Sequence, residues 1–216
     1  MNKEQIIELV RRNLQGSDAP ISVRRKYDPR LVELYVEMAY NDLLNKLYEE
    51  GIKKGNDFSA LDNFGKAYKR LVQWDADREE YYFDLEMDIV PLPDSQGIRL
   101  VSPYKNQAAS YDYRDNNSQS VFSRLFNDIV SETGWFYVEL PYVYLGHIST
   151  AVQTPEAGKS QLMVKVIPPF NKLAPTDEIF LPGGNNMVLF QMVYNAINTT
   201  NQNPESQYDN NSSKQI

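Results

Sequence analysis

Residues 79–89 read EEYYFDLEMDI, and the period of that stretch decides the fold class. Tyr81, Phe83, Leu85, Met87 and Ile89 alternate with Tyr82, Asp84, Glu86 and Asp88. A period of two sends the two sets to opposite faces of a strand, one dry and one wet. The dry side must pack on something, and the expected support is the pair of helices near Tyr35 and Phe64.

Downstream, Pro91, Pro93 and Gly97 mark a turn, after which Ile98–Val101 reads as a short partner strand. Residues 105–119 are polar and read as an exposed loop. Val121, Phe122, Leu125 and Ile129 predict an inserted helix that closes before Gly134. Trp135–Leu140, Tyr142–Leu145 and His147–Val152 are rich in β-branched and aromatic residues, so they read as strands. After a loop from Thr154 to Ser160, strand Gln161–Ile167 runs into Pro168-Pro169. A short edge, Glu178–Leu181, ends at Pro182-Gly183-Gly184. Asn185 or Asn186 then caps a closing helix that carries Val188, Leu189, Met192, Val193 and Ile197.

Upstream of residue 79 the period is helical. Asn2 and Gln5 have the spacing of a capping box, with Ile6, Ile7, Val10 and Leu14 behind them and Gly16 as the stop. Asp28-Pro29 opens a long helix, because Asp caps free amides and Pro is pre-shaped for a first turn. Val32, Tyr35, Val36, Ala39, Leu43 and Leu47 form its apolar stripe, and Gly51 is the expected end. A third helix is predicted over Ser59–Trp74, burying Leu61, Phe64, Tyr68, Leu71 and Val72. The reading is α+β: a helical bundle over 1–78, then a mostly antiparallel β-rich region over 79–198 with an inserted and a closing helix. A flexible polar tail follows over 199–216.

Composition narrows the function classes. The chain has 216 residues, enough for a sizeable core, and no Cys, which excludes disulfides, thiolate nucleophiles and Cys-ligated metal sites. The opening MNKEQIIELVRRN has no unbroken apolar stretch, so no signal peptide is expected. No run approaches the roughly 20 apolar residues of a membrane helix, and a soluble intracellular protein, or one assembled inside a cell, is expected. Fifteen Tyr and nine Phe stand against two Trp. Strand preference and partner surfaces both explain that enrichment. Of the net charge of −7, residues 1–78 contribute +1 and residues 79–216 contribute −8. An acidic second part repels phosphate and argues against wrapping nucleic acid.

The sequence assembles no recognisable catalytic constellation. The lone His147 sits in the apolar stretch YVYLGHIST, with no Ser and carboxylate arranged around it in sequence. Asp84, Glu86 and Asp88 share one strand face, but a straight strand spreads carboxylates too far apart for a cation cage. Gly183-Gly184 before a helix lacks the Lys-Ser/Thr of a phosphate loop. Arg24, Arg25 and Lys26 form the one basic cluster, able to meet DNA phosphate or an acidic neighbouring subunit. No catalytic residue, metal ligand or cofactor is expected. The candidate contacts to a subunit or partner are Arg24, Arg25, Lys26, Tyr82, Asp84, Glu86, Asp88, Tyr142 and Tyr144.

The order of elements resembles that of head-to-tail connector (adaptor) proteins of tailed bacteriophages. The resemblance is carried by Asp28-Pro29 opening VELYVEMAYNDLLNKLY, by the helix ending in Trp74 that follows it, by FYVELPYVYL as a strand pair, by MVKVIPP, and by PTDEIFLPGGNNMVLFQMVYNAI as a short strand entering a helix after Leu-Pro. The Asn- and Tyr-rich style is similar to virion proteins of crAss-like phages, whose necks stack several ring proteins. The resemblance covers most of residues 1–198, and its motifs are patterns of element type. It implies a structural subunit of a cyclic homo-oligomer of about twelve copies, bound to a portal protein above and to further neck or tail proteins below. DNA would pass through the ring without specific binding, in the virion neck, with no membrane involved. The alternatives are another non-enzymatic phage component (minor capsid, tail or scaffold) or a carboxylate-based hydrolase.

Overall fold

The computed structural model describes residues 1–15, 29–104, 110–114, 134–146, 161–179 and 186–202. The fold is α+β, with N-terminal helices, an antiparallel sheet-rich region and a C-terminal helix. It divides into two compact units, Met1–Leu43 with Ala174–Ile216, and Leu44–Leu173. No helix among the described residues is long and apolar enough to cross a membrane.

The first unit is helical. Helix α1 spans Lys3–Gln15 and begins on the capping box read from the sequence. The Gln5 N–H donates to Asn2 Oδ1 at 2.8 Å, and the Asn2 N–H donates to Gln5 Oε1 at 3.1 Å. Such reciprocal caps satisfy two otherwise free amides. The chain start is also strapped to residues 175–179. Lys3 N–H donates to the Asp177 carbonyl at 3.1 Å, Ile179 N–H donates to the Met1 carbonyl at 2.9 Å, and Asn2 bridges Glu178. The predicted edge at Glu178–Leu181 is therefore a single bridge at Glu178, with residues 180–181 outside the described range. Helix α2 spans Pro29–Lys53. Up to Leu43 it buries Val32, Val36, Ala39, Tyr40 and Leu43 in this unit, while Tyr35 is half-buried. Helix α3, Asn186–Gln202, buries Leu189, Val193 and Ile197 and packs on α1. It runs past residue 198, where the flexible tail was expected to begin; residues 203–216 lie outside the described range.

Among the described residues, the second unit holds the rest of α2 and eight strands. Gly51 does not end α2, which continues to Lys53. A Cβ at Gly51 would collide with the Phe58 ring, so glycine is there for close packing; the left-handed turn residues are Gly55 and Asn56, with φ of +77° and +67°. The predicted third helix over Ser59–Trp74 does not form. Ser59–Phe64 is only a 3₁₀ turn, followed by strand β1 at Lys66–Leu71 and strand β2 at Gln73–Asp75. Leu61, Phe64 and Tyr68 satisfy a helical spacing, yet every residue of β1 has a partner on strand β8, Gln161–Val166. A non-local ladder overrides a local period that both states can meet.

The remaining strands are β3 (Glu80–Asp84), β4 (Ile98–Pro103), β5 (Asp112–Tyr113), β6 (Trp135–Glu139) and β7 (Tyr142–Gly146). They form a three-stranded sheet, β1-β8-β4, and a five-stranded sheet, β2-β3-β7-β6-β5, antiparallel throughout except for β5 on β6. Val72 alone separates β1 from β2, so the chain changes sheets in one residue. Strand β4 pairs with β8, not with β3 as its nearness in sequence implied. Strand β5 lies within what reads as loop 105–119.

Phe83, Leu85, Phe136, Val143 and Leu145 pack in one core with Ile98, Val101, Leu162, Val164 and Val166. The dry side of β3 thus rests on the opposing sheet rather than on helices near Tyr35 and Phe64. Each such fully buried side chain stabilises by roughly 1.5–3 kcal/mol. The strand is also shorter than the five repeats of its pattern. Glu86 has φ of +53°, and the Asp84 carboxylate accepts the Glu86 N–H at 2.8 Å, which turns the chain out of the ladder. The Leu85 carbonyl is taken instead by the Arg70 guanidinium at 2.6 and 3.0 Å. The unit boundaries differ from the sequence boundary at 78/79 because β1 and β2 belong to the sheets. The helix Val121–Ile129, the strand His147–Val152 and the loop Thr154–Ser160 fall outside the described residues.

Candidate functional site

Alternation in the five-stranded sheet sends Phe83, Val143, Leu145, Phe136 and Val138 inward, so the opposite parity lines the outer face. Across four strands one register level reads Gln73, Tyr82, Tyr144, Tyr137. The next level reads Asp84, Tyr142, Glu139, and on the other side Trp135 lies opposite Gly146. The Tyr137 and Tyr144 rings stack at 5.0 Å, and Tyr82 stands 5.8 Å from Tyr144 and 5.3 Å from Tyr142. Gly146 is required by this floor, because a Cβ there would come within 2.0 Å of the Trp135 indole.

Charged groups ride on the aromatic floor. Arg78, in the turn between β2 and β3, lies over the Tyr144 ring at 4.6 Å and donates to Glu139 Oε2 at 2.6 Å. Arg114 lies over Trp135 at 5.2 Å. The Tyr137 hydroxyl donates to Glu80 Oε2. The Tyr82 hydroxyl donates to Gln73 Oε1 at 2.8 Å. Burial, and then the Glu80 carboxylate beside it, push the Tyr137 phenol well above its ordinary range. Burial raises the Tyr144 phenol as well. Hydrogen bonds to Glu139 and Tyr137 hold Arg78 in its charged form. These phenols therefore stay protonated at neutral pH, where they pack and donate rather than accept a proton.

Of the residues singled out in the sequence, Tyr82, Asp84, Tyr142 and Tyr144 come together on this face. Tyr144 is buried, whereas Tyr142 is 39% exposed. Glu86 and Asp88 do not join them, since the ladder ends at Asp84. Glu86 pairs with Arg70 at 3.5 Å and Asp88 pairs with Lys172 at 3.0 Å. The expected row of three carboxylates on one strand face is thereby corrected. Arg24, Arg25, Lys26, His147 and Gly183-Gly184 lie outside the described residues. Trp135, Tyr137, Glu139, Arg78 and Glu80 belong to the face although the sequence reading did not select them. The parity of WFYVE carried a signal for the first three, but the reach of Arg78 across the sheet carried none. Among the described residues no group of three or more His, Cys, Asp or Glu is placed to hold a metal ion.

A different surface lies in the helical unit. The face of α2 opposite its buried stripe exposes Leu31 (39%), Leu34 (51%) and Met38 (48%), at spacings of three and four residues. These fall within one sector of the helix, bordered by Arg30, Glu37 and Asp42.

Set against known proteins, the chain matches no protein-family model and no curated protein.

Proposed function

We propose that the chain is a non-enzymatic structural subunit that closes into a ring in the head-to-tail connector of a tailed bacteriophage. The ring would join portal to tail in the virion neck and line the DNA channel. One observation carries the structural role: α2 is apolar on two opposite sides. Its inner side is buried, while Leu31, Leu34 and Met38 stand in solvent on the outer side. A contiguous apolar stripe with polar borders marks a surface that a partner covers. The ring and its place in the neck rest on the resemblance in element order, less the helix ending in Trp74, where the chain instead forms β1 and β2, and the charge fits them. Residues 79–216 carry a net −8, and such a surface would let duplex DNA slide past without binding it. Glu80 and Glu139 are engaged by Tyr137 and Arg78, which disfavours this face as the carboxylate pair of a hydrolase.

Negative-stain electron microscopy of the purified chain, alone and mixed with a cognate portal protein, tests the proposal. Rings with a central opening wide enough for duplex DNA are expected. A monomer indifferent to the portal would overturn it.

A further inference from the structure

We infer that the outer face of α2 in one copy packs against the outer face of α3 in a second copy, head to tail. The inference rests on the proposed self-assembly and adds which faces meet. Its first support is the pair of stripes. α2 presents Leu31, Leu34 and Met38 at i, i+3 and i+7, and α3 presents Val188, Gln191 and Asn195 at the same spacing, with Tyr194 exposed beside them. Buried residues occupy the opposite side of each helix, so both stripes face away from the core of their own unit.

The second support is charge. α3 reads NMVLFQMVYNAINTTNQ and contains no Asp, Glu, Lys or Arg over 17 residues. The whole chain is 24% charged, so about four such residues would be expected there. An exposed helix face in a free monomer normally carries charge for solubility, whereas the centre of an interface is depleted of it. The two faces are complementary in this sense. The apolar centre of α2 would meet Val188 and the uncharged Gln191 and Asn195. Its bordering charges, Arg30, Glu37 and Asp42, would strand no ionised group of α3 beneath them. A second copy is the natural occupant because every copy carries both halves. Two different faces in contact make a heterologous interface, which closes into a ring when the rotation per copy fits. An α2-to-α2 contact would be isologous and would stop at a dimer.

Sedimentation velocity on full-length variants tests this directly. Leu34→Glu with Met38→Glu blocks the α2 face, and Val188→Glu with Gln191→Glu blocks the α3 face. All four positions are at the surface, and circular dichroism melts report whether the variants remain folded. Wild type is expected to form higher oligomers and each double variant to sediment as a monomer. An equimolar mixture of the two variants should give a heterodimer and nothing larger, because one intact α2 face and one intact α3 face remain per pair. Monomeric wild type, unchanged assembly in either variant, or a mixture that stays monomeric would each overturn the inference. Rings that survive both variants would sink this contact and leave the ring proposal standing. Variant-sensitive assemblies that show no ring would do the reverse.

Discussion

Leu85 is 1% exposed in the core between the two sheets, where its carbonyl is held by Arg70. Replacing it with Asp places a carboxylate with no partner among Phe83, Val101 and Leu162. The expected cost is about 4 kcal/mol or more. Urea unfolding should show the variant unfolded or close to it, so that loss of assembly follows from loss of fold. A near-native midpoint would mean that the core is not organised around this residue. Gly146 makes a subtler case. Adding one methyl there drives Trp135 off the sheet face, so Gly146→Ala should destabilise by about 1–3 kcal/mol. Trp135 and Trp74 are the two tryptophans of the chain. Emission from Trp135 in a Trp74→Phe background should therefore shift as the indole becomes wetter.

At the scale of the element, the tyrosine face of the five-stranded sheet has a pH signature. Tyr137 and Tyr144 have phenols shifted upward by burial, Tyr137 with Glu80 as a further cause. A group whose pKa is higher folded than unfolded stabilises fully below the unfolded value. That contribution is lost as pH climbs through the folded value. Stability is therefore expected to hold through neutral pH and to fall above about pH 10, where the unfolded phenols ionise. Thermal melts against pH should show this fall, and a near-ultraviolet absorbance titration should show a late-ionising set of tyrosines. Tyr137→Phe removes the bond to Glu80 and should cost about 1 kcal/mol at neutral pH. It should also flatten part of the alkaline fall. If the alkaline limb is identical in the variant, the Tyr137–Glu80 contact does not contribute to it.

For the whole molecule, the decisive matter is where the units divide. Strand β1 belongs with β8, so a fragment cut at the change of period, 79–198, loses one of the two strands paired with Leu162, Val164 and Val166 and leaves that edge of β8 bare. A fragment over Leu44–Leu173 keeps both sheets and their shared core. The longer cut is expected to unfold cooperatively in urea and the 79–198 cut to show no cooperative transition. Equal behaviour of the two would place the stability of the second unit elsewhere than in the three-stranded sheet.

Local chemistry was legible in the sequence wherever neighbours a few residues apart settle it. The α+β class, the Asn2–Gln5 capping box, the start of α2 and strands β6, β7 and β8 all depend on such near contacts or on strong alternation. Parity along β3 and along β7 fixed the side that Tyr82, Tyr142 and Tyr144 take on their own strands, but their gathering on one face waited on the pairing of the two strands. Beyond the β6–β7 pair, the tertiary structure alone decided which strands pair, because β1, β4 and β8 are distant in the chain and a ladder is chosen by non-local burial. It also turned Ser59–Trp74 from helix into turn and strand, ended β3 at Asp84, and brought Arg78 across Tyr144 to Glu139. Apart from the Asp84 contact to Glu86 that turns the chain at the end of β3, those outcomes depend on groups far apart in the chain, and no local period encodes a partner at that distance.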